Sequence, residues 1–217
     1  MRGILAGAVV AALALARIDA ACAQKPGGPS VGDRWVYEAR DADRPRNKYE
    51  FVVQVEEVSP TSISDILRPE EGARVNQTHR AGAYLRSVAP GIAEFSPYLR
   101  AFQDLRVGDE WPAVEYRQLW ECGVGLVLCD ASAKVVGREK VSVRAGTFDA
   151  WKIVVEFRPR MGGSAGGTGQ FVYWVAEEMR RTVKLQTRVK FEIGGHYSWP
   201  QPDMDVELVS YTPAAAR

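Results

Sequence analysis

The chain predicts an all-β fold: a curved antiparallel sheet, a half-barrel or a two-part β structure, with at most one short helix. Three observations carry that prediction. The run 181–193 places Val183, Leu185, Val189, Phe191 and Ile193 on one side, with Thr187 among them, and Lys184, Gln186, Arg188, Lys190 and Glu192 on the other. Alternation with a period of two marks a strand with one buried and one wet face, the habit of antiparallel sheets. The run 137–157 reads as two more strands around Gly146. Roughly ten such runs, separated by Gly, Pro and charged turns, follow one another with almost no helical periodicity, which is an all-β pattern. Curvature or closure would protect the sheet's edges.

Taken in order, 33–40 is the first strand, with Trp35, Tyr37 and Ala39 on one face, and charged 41–47 is a turn. The strand 48–58 alternates Tyr49, Phe51, Val53 and Val55 with Lys48, Glu50, Gln54 and Glu56, although Val52 interrupts the polar side. After Ser59-Pro60 come a third strand, 61–67, a turn at 69–72, and a weaker hairpin of 73–78 with 83–88 around Gly82. The segment 95–105 is the single helix candidate. Ser96 can cap it, Pro97 suits a first helical position, and Tyr98, Leu99, Phe102 and Leu105 share a face, though extended coil fits nearly as well. Then come strands at 114–120, 170–176 and 206–211, a flexible Gly-rich connection at 160–169, and a frayed tail at 213–217.

The central hairpin has two candidate registers. A two-residue turn at Ala145-Gly146 sets Trp151 opposite Lys140. A three-residue loop of Arg144, Ala145 and Gly146 sets Val143, Val141 and Val135 on the face of Trp151, Ile153 and Val155. Register follows the buried face, so the second is expected, with Gly146 closing the loop in a left-handed conformation. It brings Glu139 beside Trp151, either at the sheet rim with a basic partner or as a buried carboxylate of raised pKa.

Val31-Gly32-Asp33-Arg34-Trp35 recurs as Val107-Gly108-Asp109-Glu110-Trp111, each ahead of a run of strands. The repeat divides the expected β domain, 33–212, into halves at 33–106 and 107–212, either two subdomains or two parts of one curved sheet. With these Gly-Asp-x-Trp openings go Gly137-x-Glu139-x-Val141-x-Val143-x-Ala145-Gly146-x-Phe148-x-Ala150-x-Lys152, then Tyr173-Trp174, then Glu207-Leu208-Val209-Ser210-Tyr211. Over about the last half of the chain this pattern resembles a large group of uncharacterised, secreted bacterial envelope proteins, domains of unknown function. The resemblance implies a fold and supplies no catalytic residue.

Residues 1–23 read as a secretory signal peptide. Arg2 is the charged start, 4–16 is an apolar run too short to span a bilayer comfortably, and Ala21-Cys22-Ala23 is a small-residue cleavage site. Lipidation of Cys22 is the alternative, but Asp19 occupies the position where such signals carry Leu. A Pro/Gly linker, 24–32, follows, and no later stretch is apolar enough to anchor in a membrane. The expected location is periplasmic or secreted. Of 217 residues, 194 remain after cleavage, with 26 basic and 26 acidic side chains. That balance argues against capture of nucleic acid. Cys122 and Cys129, in an oxidising compartment, are expected to form a structural disulfide; their spacing is not that of a C-x-x-C redox pair.

No reactive constellation stands out. His79 and His196 are far apart, and no ligand set around them suits zinc. Ser164 lacks the glycines of a nucleophile elbow, and the Gly-rich run lacks the Lys-Ser/Thr of a phosphate loop. Asp203 and Asp205 point one way and read as a solvated pair, while Glu177, Glu178, Arg180 and Arg181 read as turn and surface charges. No metal, cofactor or catalytic residue is expected, and the chain reads as non-enzymatic. All six tryptophans follow the leader. They either fill a core or, in part, line an apolar cavity within a curved sheet, as periplasmic lipoprotein carriers do by fold-level analogy. The candidate lining residues are Trp35, Trp111, Trp151 and Trp174. Two functions follow: an envelope protein holding a hydrophobic or lipid-like small molecule, or an envelope module with a solid core that engages another envelope protein.

Overall fold

Alternating sequence, not local propensity, sets the architecture. The computed structural model describes residues 29–59, 62–69, 74–80, 85–89, 92–95, 105–117, 128–160, 166–179, 181–193, 196–197 and 203–214. Its strands are β1 (Arg34–Asp41), β2 (Lys48–Val58), β3 (Ser62–Pro69), β4 (Val75–Arg80), β5 (Leu85–Ala89), β6 (Ile92–Phe95), β7 (Glu110–Arg117), β8 (Leu128–Val143), β9 (Gly146–Arg160), β10 (Gly166–Ala176), β11 (Arg181–Ile193), β12 (His196–Tyr197) and β13 (Met204–Thr212). One sheet runs β4-β3-β2-β1-β13-β11-β10-β9-β8-β7; β12 joins β11, and β5 with β6 forms a separate ribbon. Neighbours are antiparallel throughout, and the sheet stays open among the described residues. The helix expected over 95–105 falls mainly on 96–104, outside the described residues; Phe95 belongs to β6.

The sheet's inner face is continuous. Tyr49, Ala39, Val206, Leu185, Tyr173, Ile153 and Val135 lie in one cross-strand row, and Thr187, Phe171, Val155, Ala133 and Trp111 in another. All but Tyr49 are buried, and Tyr49, packed against the core, has its hydroxyl pushed up to about 12 by burial. The sheet curls hard. Between β3 and β11 lie three strands, roughly 19 Å across if flat, yet Arg181 Nη2 and Asp65 Oδ2 are 2.5 Å apart across the interior. Tyr37 donates its hydroxyl to the Thr182 carbonyl at 2.8 Å, and Trp35 its indole N–H to that of Met179 at 2.9 Å.

Three expectations are corrected. The β8–β9 loop is Arg144 and Ala145, with Gly146 (φ +141°) opposite Val143. Neither expected register holds: the loop sets Trp151 opposite Arg138, and a bulge in β8 at Val136 then sets Ile153 opposite Val135. The bulge exchanges the faces midway: Ile153 and Val155 point inward with Val135, while Val141, Phe148 and Ala150 are buried on the outer face. Beyond that point, β4 pairs with β3, not with 83–88; β5 pairs with β6 instead. The Gly-rich connection is shorter than 160–169, since Gly166 already pairs with Glu192 in β10–β11, where β11's alternation supplies a partner edge.

The repeated pentapeptides form the same turn twice. Gly32 and Gly108 both have φ of +95°, a conformation glycine takes without penalty. Asp33 N–H donates to the Ser30 carbonyl at 2.9 Å, and Asp109 N–H to that of Arg106 at 3.0 Å. Each Asp carboxylate accepts the N–H of the turn's first residue, from Ser30 at 2.7 Å and Arg106 at 2.8 Å. Each Gly N–H bonds the adjacent strand, at Val55 or Val135. Both turns open strands of one continuous sheet.

Candidate functional site

The four candidate tryptophans do not converge. Trp35 is fully buried on the inner face, between Tyr211 (ring centroids 5.3 Å apart) and the Arg181 guanidinium at 4.9 Å. Trp111 is buried at the other end of the sheet, beside an open groove of about 330 Å³ lined also by Lys134, Val136, Val154 and Glu156. Trp151 is half-buried, gives its N–H to Glu177 at 2.9 Å, and carries the Arg138 guanidinium 5.0 Å above its ring. Trp174 is buried on the outer face.

That outer face carries a row the sequence did not announce. Glu50, Glu38, Glu207, Lys184, Trp174 and Lys152 stand side by side across six strands. Three adjacent carboxylates would repel. The β8–β9 tip answers with Arg144, 3.0 Å from Glu38, 3.1 Å from Glu207 and 3.8 Å from Glu50, and the Ala145 N–H bonds the Leu208 carbonyl at 3.1 Å. Arg40 pairs closely with Glu38, and Lys48 Nζ lies 3.0 Å away. Burial alone would push the Glu38 carboxyl up. Hydrogen bonds from Arg40 and Lys48 and the charge of Arg144 outweigh it and bring its pKa down to about 2.

Glu139 proves an exposed carboxylate. It sits opposite Ala150, not on the Trp151 face, because the bulge turned it outward. It accepts the Trp174 N–H at 2.7 Å, which with Lys152 at 3.4 Å lowers its pKa. Lys184 and Lys152 lie 5.0 and 5.3 Å over the Trp174 ring. The expectation of a buried carboxylate at Glu139 is corrected by its exposure. Arg181, expected at the surface, is among the most buried side chains, held by Asp65 and Trp35. Asp203 and Asp205 are not merely solvated: Arg188 reaches them at 3.9 and 3.0 Å.

Of the expected disulfide, Cys122 lies outside the described residues and only the backbone of Cys129 is described, in β8. His79 is in β4 and His196 in β12, and their side chains lie outside the description, as does Ser164. Among the described residues no helix is long and apolar enough to cross a membrane.

No family profile and no curated protein matches the chain. Three solved structures are similar. A candidate lipoprotein from Parabacteroides distasonis is 14% identical, with 86% of this chain and 98% of that one covered and a TM-score of 0.49. A candidate exported protein with a YmcC-like fold from Bacteroides fragilis is 11% identical, over 86% and 98%, at 0.44. The hypothetical lipoprotein YmcC from Escherichia coli is 9% identical, over 84% and 86%, at 0.45.

Proposed function

We propose that this chain is an exported, non-enzymatic protein of the cell envelope that serves as a protein-interaction module on a solid β scaffold. Export rests on the leader-like residues 1–23. The observation that carries the module reading is the filled inner face. Trp35, Phe171, Tyr173, Ile153 and Leu208 are fully buried there, and the Asp65–Arg181 pair bridges the interior that a carrier would keep open. One observation favours the second reading, a carrier of a hydrophobic or lipid-like molecule. It is the 330 Å³ groove beside Trp111, large enough for part of a small apolar ligand.

Native mass spectrometry separates the two. Protein expressed with its leader and purified without detergent is expected to show the mature mass with no adduct. A stoichiometric adduct of lipid mass that Trp111→Ala removes would overturn the module reading in favour of the carrier.

A further inference from the structure

The two Gly-Asp-x-Trp turns are copies, but their surroundings differ. At the first, the chain's own C-terminal segment fills the turn. Asp33 Oδ1 accepts the Ala214 N–H at 2.8 Å and the Tyr211 hydroxyl at 3.2 Å, and the Ala214 methyl lies 3.4 Å from where a Cβ on Gly32 would stand. β13 then runs along β1, pairing Thr212 with Arg34 and Ser210 with Val36. At the second turn Asp109 spends one carboxylate oxygen on the Arg106 N–H, and its other oxygen has no partner among the described residues. A Cβ on Gly108 would meet nothing within 4 Å. Val107 beside it is 63% exposed, the most of any large hydrophobic residue among those described. β7 is the last strand of the sheet among the described residues, so the place that β13 takes beside β1 has no counterpart there.

The backbone repeats as well. Val135 N–H bonds the Asp109 carbonyl as Val55 N–H bonds that of Asp33. Alternation then points the polar backbone groups of Glu110, like those of Arg34, away from the neighbouring strand. Pro112 follows within the β7 bulge between Trp111 and Val114 and has no N–H to donate. The edge can therefore take a short extended segment, while indefinite strand addition is blocked, a common role of edge proline.

We propose that the Asp109 turn and the β7 edge at Glu110 dock an extended segment of a partner protein carrying Tyr-x-x-Ala, the spacing by which Tyr211 and Ala214 occupy the Asp33 turn. The inference rests on the interaction-module reading and names that module's contact. The partner's N–H and tyrosine hydroxyl donate to the second oxygen of Asp109, and its backbone pairs with Glu110.

The probe is a fluorescent peptide with the sequence of residues 204–214, titrated into the full mature chain and followed by anisotropy. Saturable binding is expected. Asp109→Asn should weaken it about tenfold or more, the worth of a charge-assisted hydrogen bond. The asparagine oxygen still receives the Arg106 N–H while its amide nitrogen replaces the acceptor. A peptide with phenylalanine for tyrosine should bind more weakly too. Amide shift mapping on the wild type, independent of any variant's folding, should show changes at 106–111. Absence of binding overturns the proposal, as does binding that Asp109→Asn leaves unchanged or that shifts 31–36 instead, the mark of exchange at β1. Those failures leave the solid-scaffold reading intact, whereas a co-purified lipid defeats that reading whatever the peptide does.

Discussion

Asp65 and Glu38 are both nearly inaccessible carboxylates, one on each face of the same sheet, and they are neutralised in opposite ways. Asp65 pairs with the equally buried Arg181 at 2.5 Å, with the Trp35 ring beside the guanidinium. Glu38 meets three cations, Arg40, Lys48 and Arg144, each with two-fifths or more of its side chain in solvent. The inner pair has removed two charges from water and depends on mutual geometry; the outer cluster buries one charge and leaves its counter-charges wet. Desolvation dominates the first, so losing either partner is costly, while losing both together is not. The second resembles a network of surface pairs around one buried acceptor, where loss is graded.

The sharpest way to break the comparison is at the interior. Asp65→Asn leaves the Arg181 guanidinium buried against a neutral amide and should cost about 3–5 kcal/mol. For a domain of this size that lowers the melting temperature by roughly 10 °C. The double variant Asp65→Leu with Arg181→Met should recover most of the loss, measured by urea unfolding. A double variant as unstable as the single would mean that the pair holds the curl of the sheet by more than electrostatics.

Glu38 gives the next effect and its own pH signature. Its folded pKa, about 2, lies below the ordinary 4.5. The stability it contributes is therefore complete above about pH 4.5 and is lost as pH falls toward 2. With its cations partly exposed, about 2 kcal/mol is the expected size, less at high salt. Unfolding midpoints taken from pH 6 to pH 2 should show wild type and Glu38→Gln converging at the acid end. Parallel curves would mean that folding leaves the Glu38 pKa unchanged, and a wild type that gains on the variant as pH falls would mean that Glu38 is neutral in the folded chain.

The same two faces show what could be read in advance. The bounds of 48–58 and 181–193 match β2 and β11, because alternation over ten or more residues is unambiguous. The Gly-Asp-x-Trp repeat was visible as a repeat, since its φ of +95° demands glycine twice. The hairpin register was not legible. Matching apolar to apolar assumes one buried face along the whole ribbon, and the bulge at Val136 provides two. Gly137, an isolated glycine within a strand pattern, was the one available signal. Arg181 and Asp65 stand 116 positions apart, and their meeting depends on how far the sheet curls, which no local pattern encodes. Glu38 and Arg144 were illegible for a related reason: the row of three glutamates appears only once β1, β2 and β13 are in register.

The smallest effect tests whether the outer face has a core of its own. Trp174 is buried there, in the same strand as the inner Tyr173, and its N–H reaches Glu139 on the bent part of β8. Trp174→Phe keeps most of the apolar area and removes that donor. The expected loss is about 1 kcal/mol, and the Glu139 carboxyl, now held down by the indole N–H and then by Lys152, should titrate at a higher pH in carbon-detected NMR. If the hairpin tip is pinned chiefly by this bond, amide exchange at 139–150 should quicken while exchange in β1 and β2 stays as it was. If Arg144 on Glu38 and the Ala145–Leu208 backbone bond suffice, exchange at the tip should not change, and the outer face holds its hairpin by charge.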